Sequence, residues 1–196
     1  GDDCTLLGII GNDEAGRRVS YLCAKAGIRS GYLELVFSRP TTVKTRLIYE
    51  DRIRFDHETS DLIENWCEDR LIEKIENLCP KADAVLISDY AKGVCTEKVV
   101  QAIIKNSKMS FVDPKTSGKK YKGATLIKPN ISELPHNGLT TDEAAMEMVS
   151  LTDSILLVTE GFAGATVFQK DAPTHHIPAK SVDLRYDRGA CGCGDI

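Results

Sequence analysis

Ala84-Val85-Leu86-Ile87-Ser88-Asp89-Tyr90-Ala91-Lys92-Gly93 is the stretch from which the fold follows. Ala84–Ser88 is a continuous apolar run, as expected of a strand buried on both faces. Polar and turn-forming residues end it at once. Thr96 then caps a helix that carries Val99, Val100, Ile103 and Ile104 on one face. Working outward, short strands are predicted at Ser110–Asp113 and Thr125–Lys128. Thr140 and Glu143 make a capping box for a helix through Ser150, and Ile155–Thr159 is another buried strand. Upstream, Thr5–Ile10 reads as a strand and Asp13–Ala26 as a helix closed by Gly27. Ser60 is predicted to cap a long helix with Leu62, Ile63, Trp66, Ile72 and Ile75 at helical spacing, ended by Pro80. Strands alternating with helices predict an α/β fold, a mainly parallel sheet with helices on both faces.

One stretch breaks this rhythm. Tyr32–Phe37, Thr42–Tyr49 and Arg52–Asp56 are three consecutive strand-like segments, joined by Ser38-Arg39-Pro40 and Glu50-Asp51. They predict a separate small sheet over residues 31–56, a decorative insertion or a β lid over a pocket. Lys44, Arg46, Arg54 and Asp56 lie along it. The 196 residues otherwise suit one domain, 1–196, with a sizeable core.

Composition narrows the function. A net charge of −4 gives no electrostatic case for nucleic acid or an anionic membrane as partner. No apolar run approaches the roughly 20 residues of a membrane span, and no secretory signal is visible. Seven scattered cysteines argue for reduced thiols and a cytoplasmic location rather than a disulfide framework. Cys191 and Cys193, taken with His175 and His176, match no standard zinc spacing.

In open α/β sheets ligands bind beyond the carboxyl ends of the strands, so polar residues just after apolar runs carry most weight. Four such places occur: Asp89–Gly93, Asp113-Pro114-Lys115, Asn130–Glu133 and Thr159-Glu160-Gly161. Singly, each reads as a helix cap or turn. Together they offer carboxylate, amide and ammonium groups suited to phosphate and magnesium, with Asn130 and Glu133 as oxygen ligands, direct or through water. Gly161-Phe162-Ala163-Gly164 reads as a tight turn into a strand at Ala165–Phe168, with glycines that let a phosphate approach closely. Near the end, Gly192-Cys193-Gly194-Asp195 places an acidic residue after closely spaced glycines. Asp195 is the candidate general base, with glycine backbone N–H groups stabilising a transferred phosphoryl group. There is no Walker-type phosphate loop.

These residues resemble the ribokinase-like (PfkB-type) carbohydrate kinase family. Asn130-Ile131-Ser132-Glu133 is similar to its N-x-x-E motif, Thr159-Glu160-Gly161 with Gly164 to its T-x-G-x-x-G pattern, and Gly192–Asp195 to its G-A-G-D. Within that family the likeness is greater to the heptose 7-phosphate kinases of lipopolysaccharide core assembly, alone or as half of a bifunctional enzyme. The residues carrying it are Gly11–Gly16, Arg39–Arg46, Ser88–Gly93, Val112–Lys115 and Tyr121–Thr125. The resemblance implies ATP and Mg2+ as cofactors and D-glycero-β-D-manno-heptose 7-phosphate as acceptor, giving the 1,7-bisphosphate. It makes Asp195 the base and Gly192, Cys193 and Gly194 the anion hole. Lys44, Arg46, Asp56, Asp89, Lys92 and Lys115 would lie around the sugar phosphate or the transferred group. Asn130 and Glu133 would organise magnesium and ATP, while Thr159, Gly161 and Gly164 would line the nucleotide site. A homodimer through the lid sheets is also implied.

Against the family pattern the chain reads as truncated at both ends, and Cys193 stands where alanine is usual. Two alternatives therefore stay open: a kinase for another sugar or nucleoside, and a binding protein that keeps the fold without the catalysis.

Overall fold

A computed structural model describes residues 3–48 and 52–179. They divide into two units, residues 3–48 and 52–83 with 89–108, and residues 84–88 with 109–179.

In the first unit, β1 (Thr5–Gly11) leads through α1 (Glu14–Lys25) to β2 (Arg29–Val36), which pairs with β1 in parallel. Asp13 caps α1, its Oδ1 accepting the Gly16 N–H at 2.7 Å. Gly27 closes the helix at φ 73°, the left-handed stop that a side chain disfavours. The strands β3 (Val43–Ile48) and β4 (Arg52–His57) form an antiparallel hairpin of their own. The first of the three consecutive strand-like segments thus joins β1, and the hairpin holds only two. Parallel pairing needs a crossover, and α1 supplies it.

Helix α2 (Asn65–Leu78) starts later than the sequence predicts. Ser60 does not cap it, because the backbone before it is engaged elsewhere. The Asp61 N–H bonds the Thr59 hydroxyl at 3.2 Å, and the Ile63 N–H bonds the Gly93 carbonyl at 3.1 Å. Leu62 and Trp66 are exposed, and the buried face is Cys67, Glu68, Leu71 and Ile75. Pro80 lies in a 3-10 turn, Cys79–Lys81, that follows the helix. Thr96 caps α3 (Glu97–Asn106) as predicted, accepting the Val99 N–H at 3.2 Å. Val99, Val100 and Ile103 are buried in the unit that α2 and α3 share. Each such side chain contributes about 1.5–3 kcal/mol by leaving water.

The second unit is a six-stranded sheet. Strands β5 (Val85–Ser88), β6 (Ser110–Asp113), β7 (Leu126–Ile127) and β8 (Ile155–Thr159) run parallel in that order. Strands β9 (Gly164–Phe168) and β10 (His175–Pro178) extend it antiparallel beyond β8. β7 is shorter than predicted, although Thr125 and Lys128 still donate backbone N–H groups to Ser110 and Val112 of β6. Helix α4 (Thr141–Thr152) carries the predicted capping box and packs on β8 and β9 through Ala144, Ala145, Met148 and Val149. No helix among the described residues is long and apolar enough to cross a membrane.

Candidate functional site

In the first unit, two sequence motifs meet at the start of α1. Asp13 Oδ2 accepts the Thr41 N–H at 2.8 Å, and the Gly11 N–H donates to Thr41 Oγ1 at 2.8 Å. A Cβ on Gly11 would lie 2.7 Å from both Arg39 O and Thr41 N, so only glycine fits there. These two N–H bonds, from Thr41 and Gly16, hold the Asp13 carboxyl below its ordinary range. The result anchors the chain just before β3 and so orients the hairpin.

On that hairpin Lys44 pairs across to Asp56, and Arg46 to Arg54. Alternation puts these four on one face and Val43, Leu47, Ile53 and Phe55 on the other. Asp56 is claimed by Arg54, with Nε donating to Oδ1 at 2.8 Å, and this bond lowers the Asp56 pKa and raises that of Arg54. Lys44 reaches elsewhere. Its Nζ lies 3.9 Å from Glu58 Oε2 and 5.3 Å over the Tyr90 ring. Lys92 Nζ donates to the other oxygen of Glu58 at 2.5 Å and lies 3.4 Å from Ser60 Oγ. One carboxylate thus holds two predicted site lysines, one from the hairpin and one from the loop after β5.

That loop is fixed by its own hydrogen bonds. Asp89 is buried and its Oδ1 accepts the Ala91 N–H at 2.7 Å, while Ala91 and Gly93 take positive φ angles of 54° and 79°. Arg39 Nη2 donates to the Lys92 carbonyl at 2.7 Å. Glu58 and Arg39 join this cluster although neither is among the candidate site residues read from the sequence, where Arg39 appears only within the Ser38-Arg39-Pro40 join and the Arg39–Arg46 stretch. Glu58 sits in the polar run His57-Glu58-Thr59-Ser60, and nothing in its spacing marks it.

In the second unit the carboxyl ends of β6, β7 and β8 bring a second set together. Lys115 Nζ lies 3.3 Å from Glu133 Oε1, and Glu133 Oε2 accepts the Asn130 N–H at 3.0 Å. Asn130 Oδ1 accepts from the Ser132 hydroxyl at 2.7 Å. Asn130 also bridges to Thr159, whose N–H bonds the Pro129 carbonyl at 2.9 Å. Lys128, absent from the sequence-derived set, pairs with Asp113 at 3.2 Å. Gly161 takes φ 60° with open space where a side chain would project, whereas Gly164 is glycine for a nearer reason. At φ 113°, a Cβ on Gly164 would overlap the Ile177 carbonyl of β10. Beside this turn, Glu160 lies 3.6 Å from His176 Nδ1 and accepts from Thr166 Oγ1 at 3.2 Å.

Gly192, Cys193, Gly194 and Asp195 lie outside the described residues, as do Cys191 and the Arg188–Ala190 stretch before it. Among the described residues no cluster of three His, Cys, Asp or Glu side chains is arranged to hold a metal ion. The donors at Asn130 and Glu133 are hard oxygens, which suit magnesium that keeps most of its waters and takes its remaining ligands from phosphate.

The mainly parallel sheet, with polar groups gathered at the carboxyl ends of β6, β7 and β8, defines an α/β protein. The description "pfkB family carbohydrate kinase" matches residues 1–185, and the chain belongs to that family. It is 36% identical over 207 aligned positions to the bifunctional protein HldE of Rhodopseudomonas palustris strain BisB5, covering 97% of this chain and 42% of that protein. With HldE of Paramagnetospirillum magneticum the identity is 31% over 210 positions, covering 100% of this chain and 42% of the relative. The chain therefore spans less than half the length of these curated relatives. Among solved structures, a ribokinase from Thermotoga maritima superposes with a TM-score of 0.66 at 18% identity, over 92% of this chain and 61% of that one. A PfkB protein from Polaromonas sp. JS666 gives 0.67 at 14% identity, over 97% and 68%. The fold is ribokinase-like α/β.

Proposed function

We propose that this chain transfers the γ-phosphoryl group of ATP to the anomeric hydroxyl of a sugar phosphate, D-glycero-β-D-manno-heptose 7-phosphate, giving the 1,7-bisphosphate and ADP. The observation carrying this reading is the pair of ammonium groups gathered on Glu58, Lys44 at 3.9 Å and Lys92 at 2.5 Å. Two lysines around one carboxylate leave a net positive charge, which suits an acceptor that already bears a phosphate. Arg46 adds a further cation on the same hairpin face, while Asp56 and Asp89 hold Arg54 and the Ala91 backbone in place. Family membership and the likeness to HldE support the heptose assignment and its place in lipopolysaccharide core biosynthesis.

For the donor, Lys115, Asn130 and Glu133 would meet the phosphates, and Thr159 with Gly161 and Gly164 would border the nucleotide. Magnesium, when bound with ATP, supplies charge neutralisation at the β- and γ-oxygens. The chain's own part is positional. Glu133 orients the Asn130 backbone and Lys115 together, so one carboxylate sets two groups facing the same edge. Asp195 would take the proton of the acceptor hydroxyl, with the N–H groups of Gly192–Gly194 around the transferred phosphoryl oxygens. The hairpin would act as the β lid. Its exposed face of Val43, Leu47, Ile53 and Phe55 suits a second copy of the chain, giving a homodimer through paired lids. A cytoplasmic setting, where ATP is present and thiols such as Cys67 stay reduced, fits this chemistry.

The test is ADP release with Mg-ATP and heptose 7-phosphate, beside fructose 6-phosphate and a nucleoside, with Asp195→Asn as control. Turnover confined to heptose phosphate and lost in Asp195→Asn is expected. Faster turnover on another acceptor would overturn the heptose assignment. ATP and sugar-phosphate binding without ADP would overturn the kinase reading in favour of a binding protein.

A further inference from the structure

We propose that Tyr90 is the platform on which the sugar ring of the acceptor stacks, so that the loop after β5 reads the carbohydrate as well as its phosphate. The proposal rests on the sugar-phosphate reading above and adds a specificity-determining residue to it. Tyr90 is 62% exposed, on a loop whose backbone is held by hydrogen bonds on both sides of it. On its N-terminal side the buried Asp89 accepts the Ala91 N–H at 2.7 Å. On its C-terminal side the Lys92 carbonyl accepts from Arg39 Nη2 at 2.7 Å, and the Gly93 carbonyl accepts from the Ile63 N–H at 3.1 Å. Gly93 has no room for a Cβ, which would overlap the Asp61 carbonyl. The ring is therefore presented to solvent by a rigid segment rather than left there by a slack one.

Its one described ring contact identifies the ligand chemistry. Lys44 Nζ lies 5.3 Å over the ring centroid, attracted by the electron-rich face. The same lysine, with Lys92, faces Glu58. An aromatic surface next to two ammonium groups fits a ligand with a phosphate at one end and weakly positive C–H groups on a ring. A sugar phosphate has both. Inorganic phosphate has only the first, so Tyr90 would separate the two.

Calorimetric binding of heptose 7-phosphate, inorganic phosphate and ADP to the wild type, Tyr90→Leu and Tyr90→Phe tests this without requiring turnover. Tyr90→Leu is expected to weaken heptose phosphate about tenfold, the upper range for one aromatic contact, and to leave phosphate within about twofold by the same arithmetic. Tyr90→Phe keeps the ring and should recover most of the lost affinity. Equal weakening of phosphate and heptose phosphate would mean that Tyr90 serves only to seat Lys44, and would overturn the proposal. So would an unchanged heptose-phosphate affinity, or a loss confined to ADP. Wild-type protein that binds phosphate as tightly as heptose phosphate would overturn the stacking while leaving the basic site standing. Binding of neither would remove the basic site itself, and the stacking with it.

Discussion

Replacing Lys92 by methionine should separate the two tasks of its ammonium group, holding the fold and holding phosphate. Lys92 and Glu58 meet at 2.5 Å with side chains 25% and 18% exposed, between a surface pair and a buried one. Exposed pairs contribute up to about 1 kcal/mol and breaking buried ones costs about 3–5 kcal/mol, so Lys92→Met should destabilise by about 1–2 kcal/mol. Most of that loss arises because Glu58 keeps only Lys44, at 3.9 Å, as a described counter-charge. Adding Glu58→Gln removes the stranded charge, and the double variant should recover to within about 0.5 kcal/mol of the wild type. Phosphate affinity should not recover. A charge-assisted hydrogen bond lost from the ligand is worth about 1.5–3 kcal/mol, roughly 10- to 150-fold in the dissociation constant for sugar phosphate, in the single and double variants alike. Urea unfolding gives the first quantity and calorimetric titration the second. The reasoning fails if the double variant stays as unstable as Lys92→Met, or if Lys92→Met unfolds more easily yet binds sugar phosphate as the wild type does.

Two further outcomes follow from the same geometry. Glu68 is buried and accepts from Lys98 Nζ at 2.8 Å and from Thr96 Oγ1 at 2.6 Å, bonds that hold its pKa down. A depressed carboxyl stabilises the fold above its unfolded pKa of about 4.3 and loses that contribution as pH falls through the lower folded value. Lys98 is largely exposed and adds little through screening water, so Glu68→Gln should cost about 1 kcal/mol at pH 7. The difference from the wild type should shrink as the pH falls below that unfolded value, and urea midpoints that stay equally far apart in acid would refute it. The proposed lid pairing predicts that Phe55→Asp, on the apolar face of the hairpin, shifts sedimenting dimer to monomer. A wild type that sediments as a monomer at every concentration would rule the pairing out.

Much of this protein is legible without coordinates. Local capping chemistry set the ends of α1, α3 and α4, because Asp13, Thr96 and Thr140 each satisfy N–H groups within three residues of themselves. Continuous apolar runs likewise located β5 and β8 to within a residue, but the expected burial on both faces fails for β5, which ends the six-strand order and leaves Leu86 exposed. The cap or turn reading of Asn130–Glu133 was legible because it is local: their hydrogen bond spans three residues. The tertiary structure decided what depends on distant partners. Ser60 looks like a helix cap, but the Ile63 N–H is drawn to Gly93, thirty residues away, and α2 starts later. The segment leading to Val36 looks like a third lid strand, but it pairs in parallel with β1, a partner more than twenty residues away that local sequence does not reveal. Glu58 matters only because the hairpin and the loop after β5 bring Lys44 and Lys92 to it from 14 and 34 positions away. Contacts within one helical turn are written in order along the chain, whereas a carboxylate shared by two distant lysines exists only once the chain has folded.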